Sequence, residues 1–334
     1  MRIARLLTPG PDGAHPRVVV QAGPDLPFTD VRRAHQLALQ RRGAGERASL
    51  ALATALVPGS LSAALENGEP FLDALHAAAH DTSGDAVAAP GRLLAPLDPV
   101  AYRDFLAFEE HIVNAAAATG GTVDPVVYEV PISYMGSAQA FIGPDDVMPW
   151  PTYAHARMDY ELELGIVVAR AGRNLTPDDA AGHILGYTVL NDFSARDIQV
   201  REMRGRLGPS KGKHFASACG PVIVTPDELD PHALTMTARV NGEEWSRGHS
   251  STLLWRVPEL VAWASASEPL AAGTLLGTGT VGRGCGMELG RELRPGDSVE
   301  LEIGGIGVLQ NRVGDPDGQG WAPTRRTPRL SPAR

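Results

Sequence analysis

An alternating acidic segment at residues 159–169 places the strongest constraint on what this chain can fold into. It reads Asp-Tyr-Glu-Leu-Glu-Leu-Gly-Ile-Val-Val-Ala, with a carboxylate at every second position before it becomes fully apolar. Successive side chains of a β-strand point to opposite faces, so Asp159, Glu161 and Glu163 would share one side of a strand. A solvated acidic face explains this pattern on its own. However, the apolar continuation at 165–169 predicts that the acidic end borders a buried region.

Other segments predict a β-rich α+β fold. Asn241-Gly242 separates two strand-like runs and is typical of a two-residue hairpin. Thr176 followed by Pro177 predicts the start of a helix over 177–185. Further strands are predicted at 17–20, 138–142, 160–169, 186–191, 221–225, 235–240 and 298–303, and further helices at 102–118 and 258–265. Many short strands, frequent Gly and Pro, and few helices favour a β-rich α+β core.

The chain divides by composition into three parts. Residues 86–99 are rich in Ala, Pro, Gly and Leu, which is typical of a linker. We therefore predict a small N-terminal domain at residues 1–95 and a catalytic domain at 96–313. Residues 314–334 contain almost no apolar side chains and are predicted to be a disordered tail.

Composition narrows the class of protein. The formal net charge of -9 argues against nucleic acid as a partner, since phosphate binding requires a basic surface. No apolar run approaches the roughly 20 residues of a membrane span, and residues 1–10 make a poor signal peptide. Two cysteines, Cys219 and Cys285, are too few for a disulfide scaffold. We expect a cytoplasmic protein with reduced thiols.

Two further acidic positions have the character of site residues. Asp192 follows the apolar run 187–190 and would lie at the end of a strand, where catalytic side chains are often presented. An aspartate in an Asx turn or at a helix cap explains this position equally well. Asp104 and His111 lie seven residues apart and would project from one side of an unbroken helix, about 10 Å apart. A lone helical His is more often structural. Together with Glu161 and Glu163, these carboxylates suit a hard cation, Mg²⁺, Mn²⁺ or Ca²⁺, rather than zinc.

Several motifs over residues 98–313, taken in order, resemble the fumarylacetoacetate hydrolase family. The most specific match is 191–199, Asn-Asp-Phe-Ser-Ala-Arg-Asp-Ile-Gln. The other matching segments are Arg103-Asp104-Phe105 with His111, Tyr134-Met135-Gly136-Ser137-Ala138, Glu161-Leu162-Glu163, Gly212-Lys213-His214-Phe215, Gly277-Thr278-Gly279-Thr280 and Gly286-Met287-Glu288. The resemblance implies a mixed β-sandwich roll with a small N-terminal domain, and usually a homodimer.

The resemblance also implies a role for each matching residue. One divalent cation, Mg²⁺ or alternatively Mn²⁺ or Ca²⁺, would be held by Asp104, Glu161, Glu163 and Asp192. The catalytic pair would be His111 and Glu288. The substrate would be bound by Tyr134, Arg196, Gln199, Lys213 and Thr280. Two of these residues also have a purely structural interpretation. Arg196 would form an ion pair with Asp197 or another structural acid, and Lys213 would be a surface lysine.

The reaction implied by the resemblance is hydrolysis of a carbon–carbon bond in a 1,3-dicarbonyl or acylpyruvate substrate. A metal would stabilise the enolate, and His111, polarised by Glu288, would activate water. Residues 112–121 contain no Arg where enzymes acting on fumarylacetoacetate carry one, which argues against that compound as the substrate. The alternatives are a metal-dependent 2-oxo-diacid decarboxylase or isomerase, and, more distantly, a non-catalytic binding protein on the same fold.

Overall fold

The computed structural model describes residues 1–10, 13–118, 120–154, 156–316, 318, 320–321 and 323–326. The N-terminal part contains β1 (Arg2–Gly10), β2 (Gly13–Gln21), β3 (Thr29–Asp30), α1 (Val31–Arg41), α2 (Glu46–Leu56), α3 (Leu61–Leu65), α4 (Glu69–Ala79) and β4 (Arg92–Leu93). Helices α1 and α3 begin at side-chain caps, with Asp30 accepting from the N–H of Arg33 and Ser60 from that of Ala63.

The first half of the remaining chain consists of β5 (Ala101–Phe105), α5 (Glu109–Ala118), β6 (Ser133–Gly136), β7 (Phe141–Ile142), β8 (Val147–Trp150), β9 (Met158–Asp159), β10 (Leu162–Val168), α6 (Pro177–Ala180), β11 (Ile184–Asn191), β12 (Ser194–Ala195) and α7 (Arg196–Met203). The second half consists of β13 (Ser217–Val224), β14 (Thr235–Val240), β15 (Glu243–His249), α8 (Val257–Ala264), β16 (Thr274–Gly277), α9 (Gly286–Leu289), β17 (Ser298–Ile303) and β18 (Gly307–Pro316). Short 3-10 turns occur at Pro125–Tyr128, Ala138–Ala140, Ala181–His183 and Ser250–Thr252.

Two mixed sheets form the body of the described chain. The larger sheet has the order β3-β2-β1-β13-β11-β10-β16-β5-β6, and the smaller has the order β15-β14-β17-β18-β8. Most neighbours are antiparallel, but β16 and β5 run parallel, as do β18 and β8. The prediction of a β-rich α+β fold is confirmed.

The larger sheet carries apolar side chains on both faces. One face packs against the smaller sheet, where Leu164 and Val189 join Met236 and Leu301 in a common core. The other face packs against the N-terminal helices, which contribute residues such as Phe71. Strands β10 and β11 are therefore buried along their whole length, as the run of apolar residues after Glu163 predicts.

The N-terminal strands continue the larger sheet, because β1 pairs with β13 in an antiparallel register. Residues 92–93 of the predicted linker form β4, which pairs with β1. At the other end, β18 continues to Pro316, past the predicted start of the tail at Gly314. Residues 317, 319, 322 and 327–334 of that tail lie outside the described residues. The division at 1–95, 96–313 and 314–334 stays a prediction.

Three predicted elements are wrong. The helix predicted at 177–185 ends at Ala180, a 3-10 turn follows at Ala181–His183, and β11 begins at Ile184. Residues 102–118 are not one helix: β5 ends at Phe105, and α5 begins only at Glu109. The aromatic residues Tyr102 and Phe105 suit a strand that packs between β16 and β6. Residues 138–142 are a 3-10 turn followed by the two-residue strand β7 rather than one strand.

Among the described residues, no helix combines the length and the apolar character required to cross a membrane.

Candidate active site

Four carboxylates from distant parts of the chain converge at one end of the larger sheet. Asp104 lies on β5, Glu163 on β10, Glu161 just before β10, and Asp192 just after β11. One oxygen of each lies within 4.8 Å of one oxygen of every other. All four side chains are buried. The sequence-predicted metal ligands are thus brought together, with an all-oxygen donor set of the kind that hard divalent cations prefer.

Two oxygens of this cluster lack a donor among the described residues. Asp104 Oδ1 and Glu163 Oε2 are both buried, and with both carboxyls ionised neither makes a hydrogen bond. A proton on one of the two carboxyls would join them by a hydrogen bond. Burial raises the pKa of both carboxyls well above the usual range, and neighbouring carboxylates raise them further. Buried acceptors without a donor are costly. A divalent cation would satisfy both oxygens, so the residues present fit a bound metal.

Gly277 on β16 makes the close approach of these carboxylates sterically possible. It lies opposite Asp104 in the parallel β16–β5 pair and opposite Gly165 in the antiparallel β10–β16 pair. A Cβ atom on Gly277 would lie 2.2 Å from Asp104 Oδ1 and 2.8 Å from Glu163 Oε2. The first glycine of the Gly-Thr-Gly-Thr motif therefore provides space for the two carboxylates.

Two buried cations border the cluster on its other side. Lys213 Nζ lies 2.6 Å from Asp192 Oδ2 and also pairs with Glu161. Arg196 Nη1 lies 2.8 Å from Glu161 Oε1. Burial opposes ionisation of Glu161, but Lys213 and Arg196 outweigh it and lower the pKa of that carboxyl to about 2. Lys213 is only 3% exposed, which excludes the explanation that it is a surface lysine.

Arg196 is directed into the protein rather than into open space. Its Nε and Nη2 donate to Asp159 Oδ2 at 2.9 and 2.7 Å, while Nη1 reaches both Glu161 and Gln199 Oε1. All three guanidinium nitrogens therefore have partners. The ion pairs are with Asp159 and Glu161. The β9–β12 pairing places Ser194, two residues before Arg196, opposite Asp159.

His111 and Glu288 form the predicted pair. His111 Nδ1 lies 2.9 Å from Glu288 Oε2, and both side chains are buried. Asn114, one turn further along α5, donates to Glu288 Oε1 at 2.9 Å, and the backbone N–H of Arg283 donates to the same oxygen at 3.0 Å. Burial opposes ionisation of Glu288, but the hydrogen bond with His111 and these donors together lower its pKa. An ionised Glu288 fixes the orientation of the imidazole.

The His–Glu pair adjoins the carboxylate cluster through the backbone. Glu161 forms an isolated antiparallel bridge with Cys285, which immediately precedes α9 and its Glu288. Asp159 strengthens this connection, because its carboxylate accepts the N–H groups of Gly286 and Met287 at 2.7 and 3.0 Å. Sequence reasoning did not assign this anchoring role to Asp159. Its position two residues before Glu161, on the same face, was the available signal.

The other predicted substrate-binding residues lie around the carboxylates. The Tyr134 hydroxyl donates to Asp192 Oδ2 at 2.6 Å, and Thr280 Oγ1 donates to Glu163 Oε1 at 3.4 Å. Ser217 donates to Asp192 Oδ1 at 3.0 Å, a contact that no sequence motif predicts. Their contact with a substrate stays a prediction.

Comparison with known proteins agrees with this arrangement. The family model described as fumarylacetoacetate (FAA) hydrolase C-terminal matches residues 101–314. Oxaloacetate tautomerase YisK of Bacillus subtilis is 30% identical over 270 residues, which cover 77% of this chain and 87% of that protein.

Two solved structures are similar over nearly the whole chain. A fumarylacetoacetate hydrolase from Exiguobacterium antarcticum has a TM-score of 0.65 at 27% identity and covers 94% of this chain and 99% of that one. A 5-carboxymethyl-2-hydroxymuconate delta-isomerase from Mycobacterium smegmatis has a TM-score of 0.62 at 26% identity, with the same coverage. The resemblance drawn from the motifs is confirmed, and the chain belongs to the fumarylacetoacetate hydrolase family.

Proposed function

We propose that this protein is a divalent-metal-dependent enzyme that interconverts the keto and enol forms of a 2-oxo dicarboxylic acid of the oxaloacetate class. The observation that carries the proposal is the buried His111–Glu288 pair beside four convergent carboxylates. Similarity to an oxaloacetate tautomerase over most of its length supports this substrate class and favours proton transfer over hydrolysis. The isomerase among the similar structures supports the same choice.

The metal would be held by Asp104, Glu161, Glu163 and Asp192, which lie close enough together to share one ion. Mg²⁺ is our first choice, with Mn²⁺ or Ca²⁺ as alternatives, because the donors are all carboxylate oxygens. When bound, the cation supplies positive charge that acidifies the C–H group next to the substrate ketone.

His111 would move the proton. If Nδ1 carries its hydrogen toward Glu288 Oε2, Nε2 is the free basic nitrogen. It would accept a proton from the carbon next to the ketone and return it to the enol oxygen, so the substrate gains and loses no atoms. Glu288, held in turn by Asn114, would stabilise the imidazolium that forms between the two transfers.

Lys213 would bind the substrate through charge. Burial favours the neutral amine of Lys213, but Asp192 and Glu161 outweigh it and raise the pKa of Lys213 above its usual value, so the ammonium group stays charged. We propose that it holds a substrate carboxylate or enol oxygen, with Tyr134, Gln199 and Thr280 as neighbouring polar contacts. For Arg196 we propose a positioning role, because its contacts with Asp159 and Glu161 occupy the guanidinium.

Hydrolysis of an acylpyruvate is the second candidate. A His held by a carboxylate is equally suited to activate water, and the similar structure from Exiguobacterium antarcticum is named as a hydrolase. The two candidates differ in their products, since hydrolysis breaks a carbon–carbon bond and tautomerisation leaves the carbon skeleton intact.

The test uses metal-stripped protein with and without added Mg²⁺. The enol form of oxaloacetate is followed by its ultraviolet absorbance, and products are identified by NMR, with acylpyruvates assayed in parallel. We expect Mg²⁺-dependent tautomerisation that His111→Ala abolishes and His80→Ala, at an exposed histidine, leaves unchanged. Cleavage of an acylpyruvate without tautomerisation of oxaloacetate would replace the proposal with the hydrolase. Tautomerisation that persists in His111→Ala would refute the role of the histidine.

A further inference from the structure

A second group of metal-ligating side chains lies next to the carboxylate cluster but is distinct from it. His111, Cys285 and Glu288 each place a ligand atom within 4.8 Å of the other two. Cys285 Sγ lies 3.3 Å from Glu288 Oε2, the same oxygen that His111 Nδ1 contacts at 2.9 Å. The proposed reaction uses the histidine and the glutamate but gives no role to the thiol.

The donor set differs in chemistry from that of the first cluster. One thiol sulfur, one imidazole nitrogen and one carboxylate oxygen are the ligands that zinc prefers, whereas Mg²⁺ avoids sulfur and nitrogen. Tetrahedral ligands about 2.1 Å from a zinc ion lie roughly 3.4 Å apart. The separations of 2.9 and 3.3 Å are close to that value.

Charge also suits a thiophilic divalent ion. When such an ion replaces the thiol proton of Cys285, one proton is released to solvent and a sulfur–metal bond forms. A thiolate, the ionised Glu288 and a neutral His111 then balance the two positive charges within a buried space.

We propose that His111, Cys285 and Glu288 form an inhibitory site for Zn²⁺ or a similar thiophilic divalent cation. Occupancy replaces the hydrogen bond between His111 Nδ1 and Glu288, moves the Nδ1 proton to Nε2, and so removes the free basic nitrogen that carries the proton in the reaction. Zinc inhibition would therefore act beside the Mg²⁺ site rather than at it. The inhibition rests on the proposed function, but the binding does not.

The binding test needs no activity. Co²⁺ serves as a spectroscopic substitute for Zn²⁺ and is added to protein held in excess Mg²⁺. We expect a thiolate-to-cobalt charge-transfer band in the near ultraviolet, which Zn²⁺ then abolishes by displacement. The band should be absent in Cys285→Ala and Cys285→Ser and retained in Cys219→Ala, the matched control at the other buried cysteine. The band should persist in Glu163→Gln, because Glu163 belongs to the all-oxygen carboxylate cluster, which cannot give a thiolate band.

The inhibition test uses the tautomerase assay in excess Mg²⁺. Half inhibition of Cys285→Ala should require at least about 10-fold more Zn²⁺ than half inhibition of the wild type. Loss of a residue that merely orients a metal ligand already weakens metal binding by roughly 10- to 100-fold. Further Mg²⁺ should not relieve inhibition of the wild type. A missing cobalt band in folded wild-type protein, or a band unchanged in both Cys285 variants, would overturn the inference. A band without any turnover would uphold the site while refuting the proposed function.

Discussion

Gly277→Ala tests the geometry of the proposed Mg²⁺ site with a single added methyl group. The new Cβ would lie 2.2 Å from Asp104 Oδ1, whereas ordinary contact begins at 3.4 Å. Asp104 would therefore have to move by about 1.2 Å, with a smaller shift of Glu163 Oε2 from 2.8 Å. Because β16 pairs with neighbours on both sides, the backbone at Gly277 cannot retreat easily.

The expected loss falls on metal affinity. Mg²⁺ requires oxygen ligands at about 2.0–2.1 Å in near-ideal octahedral geometry, so a displacement of this size removes a ligand. Overpacking of a well-packed site costs about 1–3 kcal/mol. Where this cost falls entirely on the metal-bound state, Mg²⁺ affinity is weaker by about 5- to 150-fold. The metal-free protein should lose less stability, since the Asp104 side chain can then rotate away from the methyl group.

The assay is titration calorimetry of metal-stripped protein with Mg²⁺, together with melting curves recorded with and without the ion. Gly182→Ala is the matched control, because a Cβ there meets nothing within 4 Å. We expect the Mg²⁺-induced rise in melting temperature to shrink in Gly277→Ala only. Equal Mg²⁺ affinity in the two variants would refute the view that Asp104 and Glu163 hold the metal across Gly277.

Two further predictions concern the buried charges around the site. Arg196→Met should destabilise the metal-free protein by about 3–5 kcal/mol in urea unfolding, because it leaves Asp159 and Glu161 buried without their shared cation; a loss below about 1 kcal/mol would contradict this. The Glu202 carboxylate accepts hydrogen bonds from the backbone N–H groups of residues 210–212. Burial opposes ionisation of Glu202, but these hydrogen bonds outweigh it and lower the pKa of the carboxyl below 4.5. A lowered folded-state pKa adds stability above the unfolded pKa that is lost as pH falls through the folded value. The stability gap between wild type and Glu202→Gln should therefore be full at neutral pH and close below pH 4.5, and a gap that widens in acid would refute the assignment.

Local sequence signals predicted the elements that depend only on neighbouring residues. Asn241 and Gly242 both adopt positive φ, 53° and 81°, and connect β14 to β15 as the hairpin signal requires. Thr176 caps α6 with Pro177 at its start. The predicted strand at 298–303 has the bounds of β17. In each case the deciding interaction lies within a few residues along the chain, so the sequence displays it directly.

Signals failed where a distant strand decided the structure. The spacing of Phe105, Phe108 and Ile112 fits a helix, yet Asp104 pairs with Gly277 across a parallel contact that no local pattern reveals. Pairing with β16 and β6 holds residues 101–105 extended. Tertiary context of this kind commonly overrides local propensity. The resemblance to a family implied that Asp104 is a metal ligand, and that role stays a prediction, even though the local prediction placed the residue on the wrong element.

Arg196 illustrates why a motif gives a residue's identity more reliably than its role. An arginine beside an acidic cluster suits the binding of an anionic substrate, and the motif at 191–199 implied that use. The bonds of its Nε and Nη2 to Asp159 become apparent only once β9 and β12 are paired. Asp159 also holds the N–H groups that begin α9. Arg196 thus connects Glu161 of the proposed metal site, through Asp159, to the helix that carries Glu288.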